Sequence, residues 1–223
     1  MKTLGDLEIL CSLGVGRRCR AYLVQRQGRL LVAKVYRRSA VTRHASRHTE
    51  HLACFEFRRN LALRRIEGLA PFVAEPVDLL VVGQRQIFLQ EYVDGVRLKH
   101  FCENATAFVR QELFTQLRGV VAQAHRAGHY DLDLHPDNLL IVECEPGMPR
   151  VVLYDFNKIP YHLAPPNALF GWMVMLGLID PCDRDLRYLR KLRRRLLSRP
   201  WNRFLYSPFL LALPGQLEPL LAH

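Results

Sequence analysis

Lysine is scarce in this chain: five residues (2, 34, 99, 158 and 191) stand against 27 arginines, and the formal net charge is +11. The arginine excess suits contact with phosphate or an anionic surface, although GC-rich codon usage would give the same composition. No two of the six cysteines (11, 19, 54, 102, 144 and 182) form a C-x-x-C pair, which excludes a zinc ribbon and a thioredoxin-type motif. A chain of 223 residues needs no disulfide framework, so reduced thiols and a cytoplasmic setting are expected. The opening Met1-Lys2-Thr3-Leu4-Gly5-Asp6 lacks the apolar run of a signal peptide. Residues 159–179 contain no Asp, Glu, Lys or Arg, but Pro160, His162, Pro165 and Pro166 interrupt them. Their clean apolar part, 168–179, is too short to cross a bilayer, and a buried helix is expected there. Internal repeats and low-complexity linkers are absent. With 49% hydrophobic and 24% charged residues, disorder, collagen and a coiled-coil rod are excluded as global descriptions.

What is present divides into a β-rich and a helical part. Leu7–Leu13, Arg20–Gln25, Leu30–Tyr36, Val77–Val82 and Gln86–Tyr92 read as strands, separated by Gly14-Val15-Gly16, Gln27-Gly28 and Gly83. One helix, capped by Ser46 or Thr49 and stopped by Gly68, is expected between the third and fourth strands. Ala105–Ala127 reads as a long amphipathic helix carrying Phe108, Leu117, Val121 and Ala124, and the chain turns helical again from about residue 167. The expected architecture is α+β: a small antiparallel sheet with one helix over residues 1–93, and a mainly helical lobe over 94–223.

The densest polar cluster is the loop Asp131-Leu132-Asp133-Leu134-His135-Pro136-Asp137-Asn138. Asn138 immediately precedes the short strand 139–142, and Asp155 immediately follows the strand 151–154. If these pair antiparallel across the turn at 143–150, both residues emerge at one end of the ladder. An amide oxygen and a carboxylate converging there suit a hard cation such as Mg²⁺ that also holds phosphates, with Asp133 beside it as a base. The plainer reading is an Asx-rich loop that caps its own backbone. Lys34, inside the apolar strand Val32-Ala33-Lys34-Val35-Tyr36, is costly unless its ammonium is paired or snorkels from an edge. Helical phase offers the partner: Glu56 falls on the stripe of Leu52, Phe55, Leu63 and Ile66, whereas Glu50 falls opposite. Leu13-Gly14-Val15-Gly16 precedes the Lys34 strand at hairpin spacing, and such a loop can lay backbone N–H groups over phosphates.

In order and spacing, Gly14-x-Gly16, Val32-Ala33-Lys34, Glu56, Gln90-Glu91-Tyr92-Val93, Asp133-x4-Asn138 and Asp155-Phe156-Asn157 resemble the protein-kinase-like superfamily from residue 7 to about 160. Asp133-Leu134-His135-Pro136-x-Asn138, Glu56-Phe57-Arg58-Arg59 and Asp183-Arg184-Asp185-Leu186-Arg187 are similar to bacterial lipopolysaccharide core (Kdo/heptose) kinases. The resemblance implies a bilobal fold and transfer of the γ-phosphate of ATP to an alcohol. Lys34, held by Glu56, would orient the ATP phosphates beneath the Gly14–Gly16 loop; Asp133 would orient the acceptor hydroxyl. Asn138 and Asp155 would bind Mg²⁺, and the backbone at Glu91 and Val93 would hold the adenine edge. The acceptor implied is a sugar of the lipopolysaccharide inner core; a minimal serine/threonine protein kinase and a catalytically silent scaffold are the competing readings.

The departures are as informative. Asp131-Leu132 replaces the usual His-Arg before the catalytic Asp, Cys19 stands where a third loop glycine is usual, Asn157 replaces the glycine after Phe156, and no Ala-Pro-Glu follows. Asp131 is left with a metal, a substrate or neither as its partner. Residues 184–203 carry a net +8 and residues 34–65 a net +7, so the charge is clustered. On a wheel, Leu186, Leu189, Leu192, Leu196 and Leu197 oppose Arg184, Arg187, Arg190, Lys191, Arg194 and Arg195. That basic face suits an anionic membrane or glycolipid, or is simply solvated; no aromatic-interleaved platform points to nucleic acid.

Overall fold

The structure is a computed structural model and describes residues 2–83, 85–145 and 148–197. The chain folds as α+β in two lobes. Six strands, β1 (Lys2–Leu4), β2 (Leu7–Val15), β3 (Cys19–Arg26), β4 (Arg29–Tyr36), β5 (Pro76–Val82) and β6 (Arg85–Glu91), form an antiparallel sheet in the order β1-β2-β3-β4-β6-β5. The expected five strands are there, and β1 is an addition. Alternation along β4 decides which side chain faces what. Leu31 and Ala33 join Leu7, Val24, Ile87 and Leu89 in a core on one face. Tyr36 packs on the other face with Phe88, Leu52 and Ala53, and Lys34 lies over the Phe88 ring.

Two helices, not one, follow β4: α1 (Arg38–Ala45) and α2 (Leu52–Arg64). Neither Ser46 nor Thr49 caps α2; the ring Nδ1 of His51 accepts from the Ala53 N–H at 3.1 Å. α1 escapes a reading of the sequence because its residues, RSAVTRHA, are few and mostly polar. It carries no core stripe; its apolar Ala40 and Val41 only flank the small cluster under α2.

The second lobe begins with β7 (Val96–Arg97), α3 (Leu98–Asn104) and α4 (Ala107–Arg126), so the expected helix at 105–127 is preceded by a separate short one. Thr106 caps α4 through its hydroxyl, and Gly128, at φ 79°, closes it. Leu117, Val121 and Ala124 are buried, but Phe108, expected on the apolar stripe, is 78% exposed. β8 (Leu139–Glu145) and β9 (Met148–Leu153) pair antiparallel and join β7 in a second sheet. Between the lobes, Gly95 passes so close to β8 that a Cβ on it would lie 2.9 Å from the Ile141 carbonyl oxygen. The larger core gathers α4, β8, β9 and Phe156 with Leu63, Leu69 and Val73 from the end of α2 and the turn after it.

α5 (Ala168–Met175) contradicts the expectation of a buried helix: none of its residues is buried, and Leu169, Trp172 and Met175 are each at least 60% exposed. A charge-free composition reads as core when nothing in the sequence shows what covers it. α6 (Asp183–Leu197) keeps Leu189, Leu192 and Leu196 of its expected apolar half in the core and turns most of its arginines outward, but Leu186, expected on the same half, is 41% exposed. Residues 198–203 of the basic stretch lie outside the described residues. Among the described residues no helix is long and apolar enough to cross a membrane.

Candidate active site

Lys34 and Tyr36 share the face of β4 that α2 covers, and Glu56 reaches both. Lys34 Nζ donates to Glu56 Oε1 at 2.5 Å and to the Tyr154 carbonyl at 2.7 Å, with Asp155 Oδ1 3.9 Å away. The Tyr36 hydroxyl donates to Glu56 Oε2 at 2.5 Å. Burial works against the ammonium, but Glu56 and Asp155 outweigh it and hold Lys34 above its ordinary pKa. Burial, then Glu56, pushes the Tyr36 phenol up as well. The pairing deduced from helical phase is therefore the one that forms.

The polar loop is built around the backbone of Asp133. Asp131 and Asp133 both take left-handed φ, 56° and 53°, a region that non-glycine residues enter only when the surroundings hold them there. His135 N–H donates to the Asp133 carbonyl at 2.6 Å, and the Asn138 Nδ2 donates to the same oxygen at 3.1 Å. The Asp133 carboxylate is thereby turned out of the loop, where it meets Lys158 Nζ. Asp131 proves to be a strut: its buried carboxylate accepts from the Tyr161 N–H at 2.8 Å and from Arg184 at 3.0 Å.

Two further residues secure this loop. Arg59, on α2 one turn beyond Glu56, donates to the carbonyls of Tyr130, Asp131 and Lys158. Burial pulls its pKa down to about 10. Asp185, fully buried on α6, accepts from the Leu132 N–H at 2.9 Å and lies 3.0 Å from His125 Nε2. Arg59 thus ties α2 to the loop at 130–131 and to the segment after Asp155. Its signal was legible: Arg59 follows Glu56 by three residues, so it turns to the same side of α2.

The register Leu139↔Leu153 brings Asn138 and Asp155 to one end of the β8–β9 ladder, as their spacing implied. Tyr154 ties the two flanks together through its hydroxyl bond to the Asp137 carbonyl. Asp155 Oδ1 accepts from Asn157 Nδ2 at 2.5 Å, and Arg18 of the β2–β3 hairpin donates to the Asn157 side chain at 2.6 Å. Burial pushes the Asp155 carboxyl up to about 6 against the pull of Lys34, so its charge is under-compensated. Among the described residues no three His, Cys, Asp or Glu side chains gather as a metal site. An under-compensated carboxylate at the same ladder end as Asn138 fits a hard divalent cation, which takes few protein ligands and completes its shell with water and phosphate.

Of the residues expected at a nucleotide, Gly14 lies at a bulge in β2 with φ 156°, and the Gly16 N–H bonds to the Cys19 carbonyl at 2.9 Å, closing the hairpin. The Glu91 N–H is committed to the Glu75 carbonyl at 2.9 Å. Val93 follows β6 half-buried. Gln90 lies on the Lys34 face of the sheet, buried, with Nε2 unpartnered. Lys158 was not foreseen, because nothing in its local sequence links it to Asp133 25 residues away.

A hairpin with glycines, a strand lysine locked to a helix glutamate, and an Asp–Asn loop beside a strand-end carboxylate together define a protein-kinase-like fold. The solved structure of the Mycobacterium tuberculosis PknI kinase domain superposes on it with a TM-score of 0.57 at 18% identity, covering 88% of this chain and 76% of that one. A cysteine-to-alanine mutant of the same domain gives the same TM-score and identity, with coverage of 88% and 75%. No family model matches the chain, and no curated protein sequence does.

Proposed function

We propose that this chain is an ATP- and Mg²⁺-dependent phosphotransferase with an alcohol acceptor, residues 1–93 forming the nucleotide lobe and 94–223 the catalytic one. The observation that carries the reading is the convergence of Lys34, Glu56 and the half-buried Asp155 in one cluster, with Asp133 and Asn138 held on the adjoining loop. Lys34, fixed by Glu56, holds the nucleotide phosphates beneath Gly14 and Gly16, and the backbone at Glu91 and Val93 receives the adenine. Asn138 and Asp155 hold the cation, which when bound neutralises the phosphate charge. Asp133 orients the acceptor hydroxyl and accepts its proton. Little covalent chemistry is asked of the protein, so positioning and charge suffice.

For the acceptor, a sugar hydroxyl of the lipopolysaccharide inner core at the cytoplasmic face of the inner membrane is the reading that the motif resemblance favours. Two surfaces support a membrane-side location. α6 turns exposed Arg187, Arg190, Arg194 and Arg195 outward, and α5 beside it exposes Leu169, Trp172 and Met175 without a charge. Apolar side chains flanked by arginines match the boundary of an anionic bilayer. Arg190, Arg194 and Arg195 replaced together by Glu should abolish sedimentation with anionic vesicles; unchanged sedimentation removes the membrane from the proposal.

Labelled ATP, offered with purified core glycolipid beside a generic protein acceptor, tests the function. Transfer to the glycolipid is expected, and Asp133→Ala should lower it about 10²–10⁴-fold while leaving nucleotide affinity nearly intact. Label on the protein alone would make this a minimal serine/threonine kinase, and label on neither a scaffold.

A further inference from the structure

A cavity of about 250 Å³ opens between the β2–β3 hairpin, α1 and the segment after Asp155. Six cations line it (Arg17, Arg18, Arg43, Arg47, Lys158 and Arg184) and no acidic side chain does. Lys158 and Arg184 are neutralised by Asp133 and Asp131. The other four have no carboxylate partner among the described residues. Arg18 and Arg47 donate to neutral oxygens, those of Asn157 and the Ala164 carbonyl at 2.5 Å. Arg17 and Arg43 are exposed, with side chains that bond to nothing among the described residues. In the cavity wall, His44 is only 6% exposed, yet its Nε2 has no hydrogen-bond partner. Burial and neighbouring His48 lower His44 to about 4, so its ring is neutral. Clustered guanidinium forks and an unpartnered buried ring nitrogen make an uncompensated binding site for a multivalent oxyanion.

We propose that this cavity is a phosphomonoester subsite for the acceptor, holding a phosphate group already present on the molecule whose hydroxyl is to be phosphorylated. The nucleotide is a poor occupant, because Gly14, Gly16, Lys34, Asn138 and Asp155 are all absent from the lining. The acceptor is a good one, because Lys158 reaches from the cavity to the Asp133 carboxylate. An anion held here sits one side chain away from the group that would orient the hydroxyl. The volume is below the roughly 300–1,000 Å³ of drug-sized sites and suits a phosphate with part of one sugar ring. The assignment rests on the phosphotransfer reading only in calling the ligand an acceptor.

Calorimetric titration of the full chain tests it, with inorganic phosphate, glucose 6-phosphate, glucose, and phosphatidylcholine vesicles with and without phosphatidic acid. Arg17→Ala/Arg43→Ala is the variant, since both side chains are exposed and unbonded and their loss leaves the fold in place. Inorganic phosphate and at least one phosphomonoester should bind the native chain, glucose should not, and the variant should bind about tenfold more weakly with MgATP affinity unchanged. Variant-sensitive binding of glucose 6-phosphate identifies a soluble acceptor; variant-sensitive binding of phosphatidic acid vesicles identifies a lipid-borne one. Phosphate binding that is absent, or equal in the variant, overturns the subsite. So does a variant that weakens MgATP and phosphate by the same factor, which would make the cavity an annex of the nucleotide site. Failure of MgATP to bind at all, with the phosphate results as expected, would refute the phosphotransfer reading and leave the anion site standing.

Discussion

Two lysine–carboxylate pairs serve the candidate site, and they are built differently. In Lys34–Glu56 the side chains are 4% and 0% exposed, and both carboxylate oxygens are taken, one by the ammonium and one by Tyr36. In Lys158–Asp133 they are 23% and 9% exposed, and one carboxylate oxygen carries the contact. A sealed pair cannot change partners without stranding a charge in the interior, so its value lies in fixing where the ammonium points. A half-open pair can let its carboxylate go to an incoming hydroxyl while the lysine turns to an anion. Shape is held by the first pair, and exchange is possible at the second.

The sharpest way to break that contrast is Glu56→Ala. It leaves Lys34 buried without its main counter-charge and the Tyr36 hydroxyl without an acceptor, and should cost about 3–5 kcal/mol in a urea unfolding series. A loss below about 1 kcal/mol, the range of an exposed pair, would mean that the pair is not sealed.

Asp155, 3.9 Å from Lys34, gives an intermediate effect that depends on pH. Its pKa rises from 3.8 unfolded to about 6 folded. Its contribution to stability is therefore fully present below about 3.8 and is lost as pH climbs through about 6, up to about 3 kcal/mol in all. Asp155→Asn should flatten the urea midpoint between those values. In the native chain Mg²⁺ with nucleotide should raise the melting temperature above about pH 6 and do little well below it. A Mg²⁺ effect as large at about pH 4.5 as at about pH 7.5 would contradict the cation assignment.

Lys158→Met gives the smallest change in stability, because the pair it breaks is less deeply buried than Lys34–Glu56. Phosphoryl transfer should nevertheless fall about 10–100-fold as Asp133 loses its guide. Equal losses of stability for Glu56→Ala and Lys158→Met would erase the distinction between the pairs.

The sealed pair was legible before any coordinates, since an apolar strand with one lysine and a helical stripe with one glutamate have few ways to satisfy each other. So was the convergence of Asn138 and Asp155, which follows from antiparallel pairing alone. The open pair was not, because Lys158 meets Asp133 only through the path taken after β9, which no local pattern encodes. The cavity was hidden for the same reason: α1 lacks a core stripe of its own, and its arginines acquire meaning only beside the hairpin. α5 shows the opposite failure, where a strong local signal of burial was overruled by the absence of any covering element among the described residues.

Gly95 carries a mechanical consequence. With the Ile141 carbonyl where its Cβ would be, the strand-to-helix crossing is pinned flush against β8 at that residue, and even a methyl group must push backbone aside. Any gape or rocking of the two halves has to be taken up upstream, by torsions at Tyr92, Val93 and Asp94, so the chain owns a short axle rather than a loose strap. A saturation library at position 95 would accordingly return glycine alone, while its three predecessors would accept a wider alphabet.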